Sequence, residues 1–383
     1  MKPIQMQFFK TSLIFLIVSL PLIFLGYGSD SDIYGVLSAG ISTWENSTPQ
    51  MSRHPGYWLY EAMIFCFSKL GGYILTNGAT LVASVFVLHR FHSLAVRENL
   101  SHAVLLTLCL CLNPWFLIAA TSTMDYMWAL LFIVLSIEFA IKDKHIIAGV
   151  FVGLAAGFRL GSVFVLLFAF IFSWIKAGIK NSLRGYVLLG CVSIVLIVIF
   201  YLPSWLLKEK NFSFLNPHLD LGNLYWTPKL HVGRFLYKII HLFGLPSFVI
   251  IAAIVAYYTL KQKGQINKSR FGIAALGASV GTLVLFAKYP IEIAYLLPFL
   301  FFFLLLLGTY LRGNNRKYLI AILLTTISYS FINLSIAKPN VQNKTTDPSF
   351  GLFVEPGVLI KDVFDRLKLI DCANIKCFYE VFY

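Results

Sequence analysis

Apolar residues in this chain recur in blocks of about twenty, separated by short polar turns, and nothing else in the sequence limits the fold so severely. A helix of that length spans the hydrocarbon core of a bilayer, roughly 30 Å. The composition points the same way: 58% of the 383 residues are hydrophobic and 13% are charged, against about 45–50% and 25% in soluble domains. A soluble core cannot absorb that excess, so the chain reads as an all-α polytopic membrane protein. Eleven transmembrane segments are expected, at 11–27, 74–90, 103–120, 124–141, 145–158, 161–175, 185–204, 236–259, 272–287, 293–311 and 318–336. The first ends without a small-x-small cleavage pattern and reads as a retained anchor.

The formal charge of +14 would suit a nucleic-acid binder if the basic residues formed a patch. They do not. With the N-terminus inside, Lys2, Lys10 and the turns around 90–97, 142–144, 176–184, 261–270 and 312–317 hold sixteen basic residues against only Glu98, Asp143 and Glu138. Nearly the whole surplus therefore lies in short cytoplasmic loops, as the positive-inside rule requires. The expected topology is N-terminus cytoplasmic and C-terminus outside, in what reads as a bacterial inner membrane. The charge reports orientation and attraction to membrane lipids, with no nucleic-acid partner implied.

Four cysteines lie in apolar segments and read as small hydrophobes, whereas Cys372 and Cys377 sit five apart in the outward tail, where a local disulfide is expected. No His/Cys cluster has metal-ligand spacing, and there is neither a P-loop nor a dinucleotide fingerprint. A nucleotide-driven pump is thereby disfavoured, no cofactor is expected, and dependence on a divalent metal stays open.

Residues 1–336 form the expected transmembrane domain, with long outer loops at 28–73 and 205–235, and 337–383 form a small non-cytoplasmic cap. In the first loop, Ile33, Val36, Leu37, Ile41 and Trp44 recur at helical spacing and predict an interfacial helix over 33–44, with Ser31 or Asp32 at its N-cap. Pro55 suits the first turn of a second helix that stops at Gly71-Gly72. In 205–235, Trp205, Phe212, Phe214, Tyr225 and Trp226 read mainly as an aromatic belt at headgroup level. The tail carries an amphipathic stretch near Val358–Ile370.

Charged groups at membrane depth need a partner or a task. Asp125 opens the fourth segment, Arg159 closes the fifth, and Lys288 and Glu292 flank the turn between the ninth and tenth. With Asp30, Asp32 and Arg53 they can converge on one outer cavity. Pairing of Asp125 with Arg159, or of Lys288 with Glu292, purely to neutralise buried charge is the competing explanation.

These residues carry a resemblance. Gly28-Ser-Asp30-Ser-Asp32-Ile-Tyr34, then Ser52-Arg53-His54-Pro55-Gly56-Tyr57 leading to Glu61, resembles the first outer loop of GT-C glycosyltransferases that use polyprenyl-phosphate sugars, the group that includes protein mannosyltransferases and aminoarabinose transferases. Asn113-Pro114, Met124-Asp125-Tyr126, Gly153-Leu-Ala-Ala-Gly157-Phe-Arg159 and Tyr289-Pro290-Ile-Glu292-Ile-Ala-Tyr295 resemble it in the same order, over about 1–310. The resemblance implies a GT-C-type bundle with interfacial helices in the first outer loop, an active site at the non-cytoplasmic face, and a catalytic carboxylate at Asp32 or Asp30. Arg53, His54, Glu61, Asp125, Tyr126, Arg159, Lys288, Glu292 and Tyr295 are the candidate substrate-binding residues.

The implied reaction is an inverting transfer of a sugar from a polyprenyl-phosphate donor to a hydroxyl of a glycan, lipid or protein acceptor. The residue chemistry agrees. A lipid phosphate is a stable leaving group that asks for cationic stabilisation, which Arg53, Arg159 and Lys288 offer, and the acceptor hydroxyl needs a carboxylate base. Two other classes share the topology. A transporter or flippase would show an internal repeat with paired broken helices, and none is visible. An outer-face polymerase of lipid-linked glycans would favour an arginine-rich loop, whereas 205–235 holds only Arg234.

Overall fold

The computed structural model describes residues 3–46, 50–52, 55–100, 102–177, 179–207, 228–262, 269–311, 316–338 and 349–382. Helices α1 (Pro3–Ser19), α2 (Ser31–Asn46) and α3 (Trp58–Arg97) open the chain. A second group follows: α4 (Ala103–Cys111), α5 (Pro114–Ala120), α6 (Tyr126–Ile141), α7 (His145–Phe158), α8 (Ser162–Ala177) and α9 (Ile179–Leu207). The rest are α10 (Pro228–Phe243), α11 (Leu245–Gln262), α12 (Arg270–Lys288), α13 (Leu297–Tyr310) and α14 (Arg316–Phe331), then strands β1 (Ile332–Lys338) and β2 (Ser349–Pro356) and helices α15 (Val358–Lys368) and α16 (Ile375–Phe382). Each of the eleven expected segments is helical over most of its length. Among the described residues, five helices can cross a membrane by length and composition, and seven if two bent pairs each count as one span, with three shorter apolar helices between them.

Breaks in these helices have local causes. Gly72 sits at φ +57°, ψ −151° inside α3, a conformation essentially reserved for glycine, and there the helix kinks. Between α4 and α5 the axis bends by 66°. Pro114 removes an amide from the helical ladder, and Asn113 caps the new helix by accepting from the amides of Trp115 (3.0 Å) and Phe116 (3.4 Å). The Asn113 side-chain amide donates to the carbonyl of Leu242, 2.9 Å away, beside the 95° bend between α10 and α11. One asparagine ties the two bends together.

Without a hydrophobic drive between helices in lipid, close approach depends on small side chains. Gly149, Gly153 and Gly157 form such a stripe on α7, where an added Cβ would meet Leu189, Leu196 and Phe200 of α9 at 2.5–2.7 Å. Gly277 and Gly281 let α12 approach the α8 backbone in the same way. The apolar core runs through α3, α4, α6 and α13, with Phe91, Leu110, Leu130 and Phe301 fully buried.

The last expected segment ends early. Instead of running to 336, the helix stops at Phe331 and the chain continues as β1, paired antiparallel with β2. The period-two pattern of Ile332-Asn333-Leu334-Ser335-Ile336 explains it, since Asn333 and Ser335 are buried while Ile332 and Ile336 are exposed. Cys372 and Cys377 are disulfide-bonded. Of the aromatic loop at 205–235, residues 208–227 lie outside the described residues, and with them Phe212, Phe214, Tyr225 and Trp226.

Candidate functional site

The first loop reaches the site through Gly28, whose φ of +137° and whose contact with Ile33 and Ser122 leave no space for a side chain. Tyr34, fully buried in α2, donates its hydroxyl to the carbonyl of Gly28 at 2.9 Å, and burial holds the phenol well above its ordinary pKa, so it remains a donor. The N-cap of α2 is Asp30, and not Ser31 or Asp32: its Oδ1 accepts from the amide of Asp32 at 2.9 Å, and its carbonyl accepts from the amide of Ile33. Asp32 stands in the first helical turn.

The turn before α6 is knitted to this loop. The amide of Thr123 donates to the carbonyl of Tyr27 (2.8 Å), Thr123 Oγ1 donates to Asn77, and Asn77 donates to the carbonyls of Ile23 and Gly26. Tyr60 closes the set by donating to the carbonyl of Thr123 (2.8 Å). That framework holds Asp125 at the start of α6, wholly buried, where Arg159 Nη1 meets its Oδ1 at 2.5 Å. Arg159 has left the end of α7 in an extended conformation. Its guanidinium lies 4.0 Å from the ring centroid of Tyr126 and 4.5 Å from that of Tyr295, a stacked grip that leaves further N–H groups for an oxyanion.

Tyr126 joins the two charge types. Its ring supports Arg159, while its hydroxyl donates to Glu292, which precedes the short 3₁₀ turn Ile293–Leu296. One oxygen from each of Asp30, Asp32 and Glu292 lies within 4.8 Å of the others, an all-oxygen set that can hold a hard divalent cation. Lys288, exposed at the end of α12, stands over the ring of Tyr289 at 5.2 Å.

Two cavities meet at this junction. One, of about 320 Å³, is lined by Arg159, Lys288, Tyr57, Tyr126, Tyr289 and Tyr295 together with apolar residues such as Leu130, Ile133, Val165 and Leu285. The other, of about 190 Å³, is lined by Ser29, Asp30, Trp115, Lys238 and Glu292. Tyr126, Ile291 and Ala294 line both. A cationic, apolar-walled chamber thus abuts an acidic one, with a tyrosine between them.

Asp30, Asp32, Asp125, Tyr126, Arg159, Glu292 and Tyr295 therefore come together, with Lys288 lining the larger chamber. Glu61 goes elsewhere: buried, it accepts from Ser52 Oγ (2.5 Å) and the amide of Tyr57 (3.3 Å) and lines a separate cavity between α2 and α3. Arg53 and His54 lie outside the described residues. Sequence reasoning missed Lys238 and the shared wall of Tyr126. A lysine near the start of the expected eighth segment was the available signal for the former.

No family model and no curated protein matches the chain. Two solved structures resemble it. ArnT from Cupriavidus metallidurans bound to undecaprenyl phosphate superposes with a TM-score of 0.60 at 15% identity, over 83% of this chain and 63% of that one. The same protein in its apo state gives 0.54 at 14%, over 80% and 60%. The chain spans less than two thirds of the length of these structures, and identities this low speak for the fold alone: a polytopic helical bundle like that of ArnT.

Proposed function

We propose that this integral membrane protein is a glycosyltransferase that moves a sugar from a polyprenyl-phosphate donor to an acceptor hydroxyl, with inversion, at the non-cytoplasmic face of the membrane. The observation that carries the reading is the pair of abutting chambers. A guanidinium and an ammonium in an apolar-walled space suit a phosphate that carries a lipid tail, and the carboxylates of Asp30 and Glu292 in the adjoining space, with an oxygen of Asp32 within 4.8 Å of theirs, suit deprotonation of a hydroxyl. The solved relative with bound undecaprenyl phosphate supports a polyprenyl-phosphate ligand.

In the proposed reaction the acceptor oxygen attacks the anomeric carbon as the bond from that carbon to the phosphate oxygen breaks. The hydroxyl proton passes to a carboxylate of the first loop, Asp32 or Asp30, while the electron pair leaves with the phosphate, whose charge Arg159 and Lys288 neutralise. Asp125 holds Arg159 in place, and Tyr126 fixes the spacing between the two chambers. The carboxylates also stabilise positive charge developing on the sugar ring.

Outward orientation is supported by the far end of the bundle, where Arg90 pairs with Glu138, Arg270 lies 3.4 Å from Asp143, and Arg97 lies over Phe271. These belong to the basic loops that the positive-inside rule assigns to the cytoplasm. The test is turnover of a panel of polyprenyl-phosphate sugars by the purified chain. Release of polyprenyl phosphate and an anomer of opposite configuration support the reading, and no release from any donor, with transport of the donor in vesicles, overturns it.

A further inference from the structure

The cap is docked in an unexpected sense. Helix α15 turns its charged face into the bundle, burying Asp362 and Arg366, and leaves Phe364 and Leu367 exposed. Leu359 and Leu369 pack against the core on the same side, so the buried charges share that interface with apolar contacts and need polar partners there. Arg366, fully buried, donates through Nη1 to the carbonyls of Thr121 (2.8 Å) and Leu22 (3.4 Å) and through Nη2 to that of Ile118 (3.2 Å). Its Nε lies 2.7 Å from Asp362 Oδ2, and Asp362 Oδ1 accepts from Ser29 Oγ at 2.5 Å.

The segments gripped in this way are those that deliver the reacting groups. Leu22 and Ser29 belong to the stretch that ends at Asp30, and Ile118 and Thr121 close α5 just before Asp125. A guanidinium suits the free carbonyls at a helix C-terminus, and it spreads five N–H donors over three nitrogens, whereas an ammonium concentrates its three on one.

We propose that Arg366, acting with Asp362, is a positioning residue: from the cap it sets the Asp30–Asp32 loop against the Thr121–Asp125 turn, and so fixes the carboxylate base relative to the Asp125–Arg159 grip on the phosphate. It touches neither donor nor acceptor. The proposal rests on the transferase reading, but the cap remains attached without Arg366. The amide of Ile375 donates to Ser38 Oγ (2.9 Å), Phe378 packs on Tyr34, and the amide of Gly357 donates to the carbonyl of Phe331 (2.8 Å).

The test uses the full chain in lipid nanodiscs with Arg366→Lys and Asp362→Asn, each measured alone and combined with whichever of Asp30→Asn and Asp32→Asn is inactivating. Positioning predicts that kcat falls about tenfold or more while the donor KM holds, because small misplacements of reacting groups are that costly. It also predicts no further loss in the background that already lacks the base. A residue that only supports folding lowers kcat equally in both backgrounds. Hydrogen exchange supplies a readout free of activity: in Arg366→Lys the amides of Ile33 and Thr123 should exchange at least about tenfold faster, while the β1–β2 hairpin is unchanged. Unchanged kcat, additive losses, or unchanged exchange at those two amides overturns the proposal. If the wild type turns over no donor, the transferase reading fails by itself, and exchange alone decides whether Arg366 holds the two segments together.

Discussion

Replacing Arg159 with lysine separates a ligand for the donor phosphate from a counter-ion for Asp125. The carboxylate of Asp125 is fully buried, and Arg159 is the charge beside it at 2.5 Å, itself only 14% exposed. A lysine keeps that charge but loses the fork and most of the stacking between Tyr126 and Tyr295. Cation–π contacts of this kind are worth about 0.5–2 kcal/mol each, so losing the two should cost the fold about 1–4 kcal/mol. A hydrogen bond to a charged partner contributes about 1.5–3 kcal/mol, so losing one to the phosphate should weaken donor binding roughly 10- to 100-fold. Arg159→Met is the harsher control: it strands the Asp125 charge and should cost about 3–5 kcal/mol of stability, much of it recovered when Asp125→Asn is added. Donor affinity is read from the stabilisation that polyprenyl phosphate gives the purified protein against heat, and donor KM from turnover. If Arg159→Lys lowers the melting temperature and leaves donor affinity at the wild-type value, the arginine is a counter-ion and the phosphate site lies elsewhere.

Orientation is checked by reporter fusions after Lys263 and after Tyr383, which should report opposite compartments, cytoplasmic for the first and external for the second. Two cytoplasmic signals would contradict the eleven-segment topology. The Cys372–Cys377 bridge closes a short loop at the end of the cap and should stabilise it by a few kcal/mol at most. Breaking it is expected to leave donor turnover nearly unchanged. Thiol labelling under denaturing, non-reducing conditions should leave both cysteines unmodified, and full labelling of both would refute the bridge.

Features that depend on near neighbours in the chain were legible in the sequence. The apolar blocks located the spans and Gly71-Gly72 marked the break in α3, whereas the bend at Asn113-Pro114 falls inside the expected segment 103–120 and went unread, although its cap and missing amide are both local. The membrane-depth charges of Asp125 and Arg159 could be matched by asking what each needs as a partner, and the pair exists. Lys288 and Glu292 illustrate the limit of that logic. Adjacent across a turn, they suggested a mutual pair, yet Glu292 accepts from Tyr126, a residue 166 positions away, and Lys288 stands over Tyr289. Asp362 and Arg366 were hidden for a related reason. Opposite charges four apart on a helix ordinarily mark its wet face, and only the docking of the cap, a long-range event, buries them. Strand β1 was masked because its apolar residues extend the hydropathy signal of α14, although the period changes from 3.6 to 2.

The central claim is that a carboxylate of the first loop takes the acceptor proton, and Asp30→Asn and Asp32→Asn test it most directly. Asparagine is as good a cap as aspartate, so replacing Asp30 leaves its bond to the Asp32 amide available and stability near the wild-type value. Losing a general base should lower the rate by about 10²–10⁴-fold. The account predicts that at least one of the two purified, folded variants shows that loss with a polyprenyl-phosphate sugar while still binding polyprenyl phosphate. Wild-type turnover in both variants would contradict it.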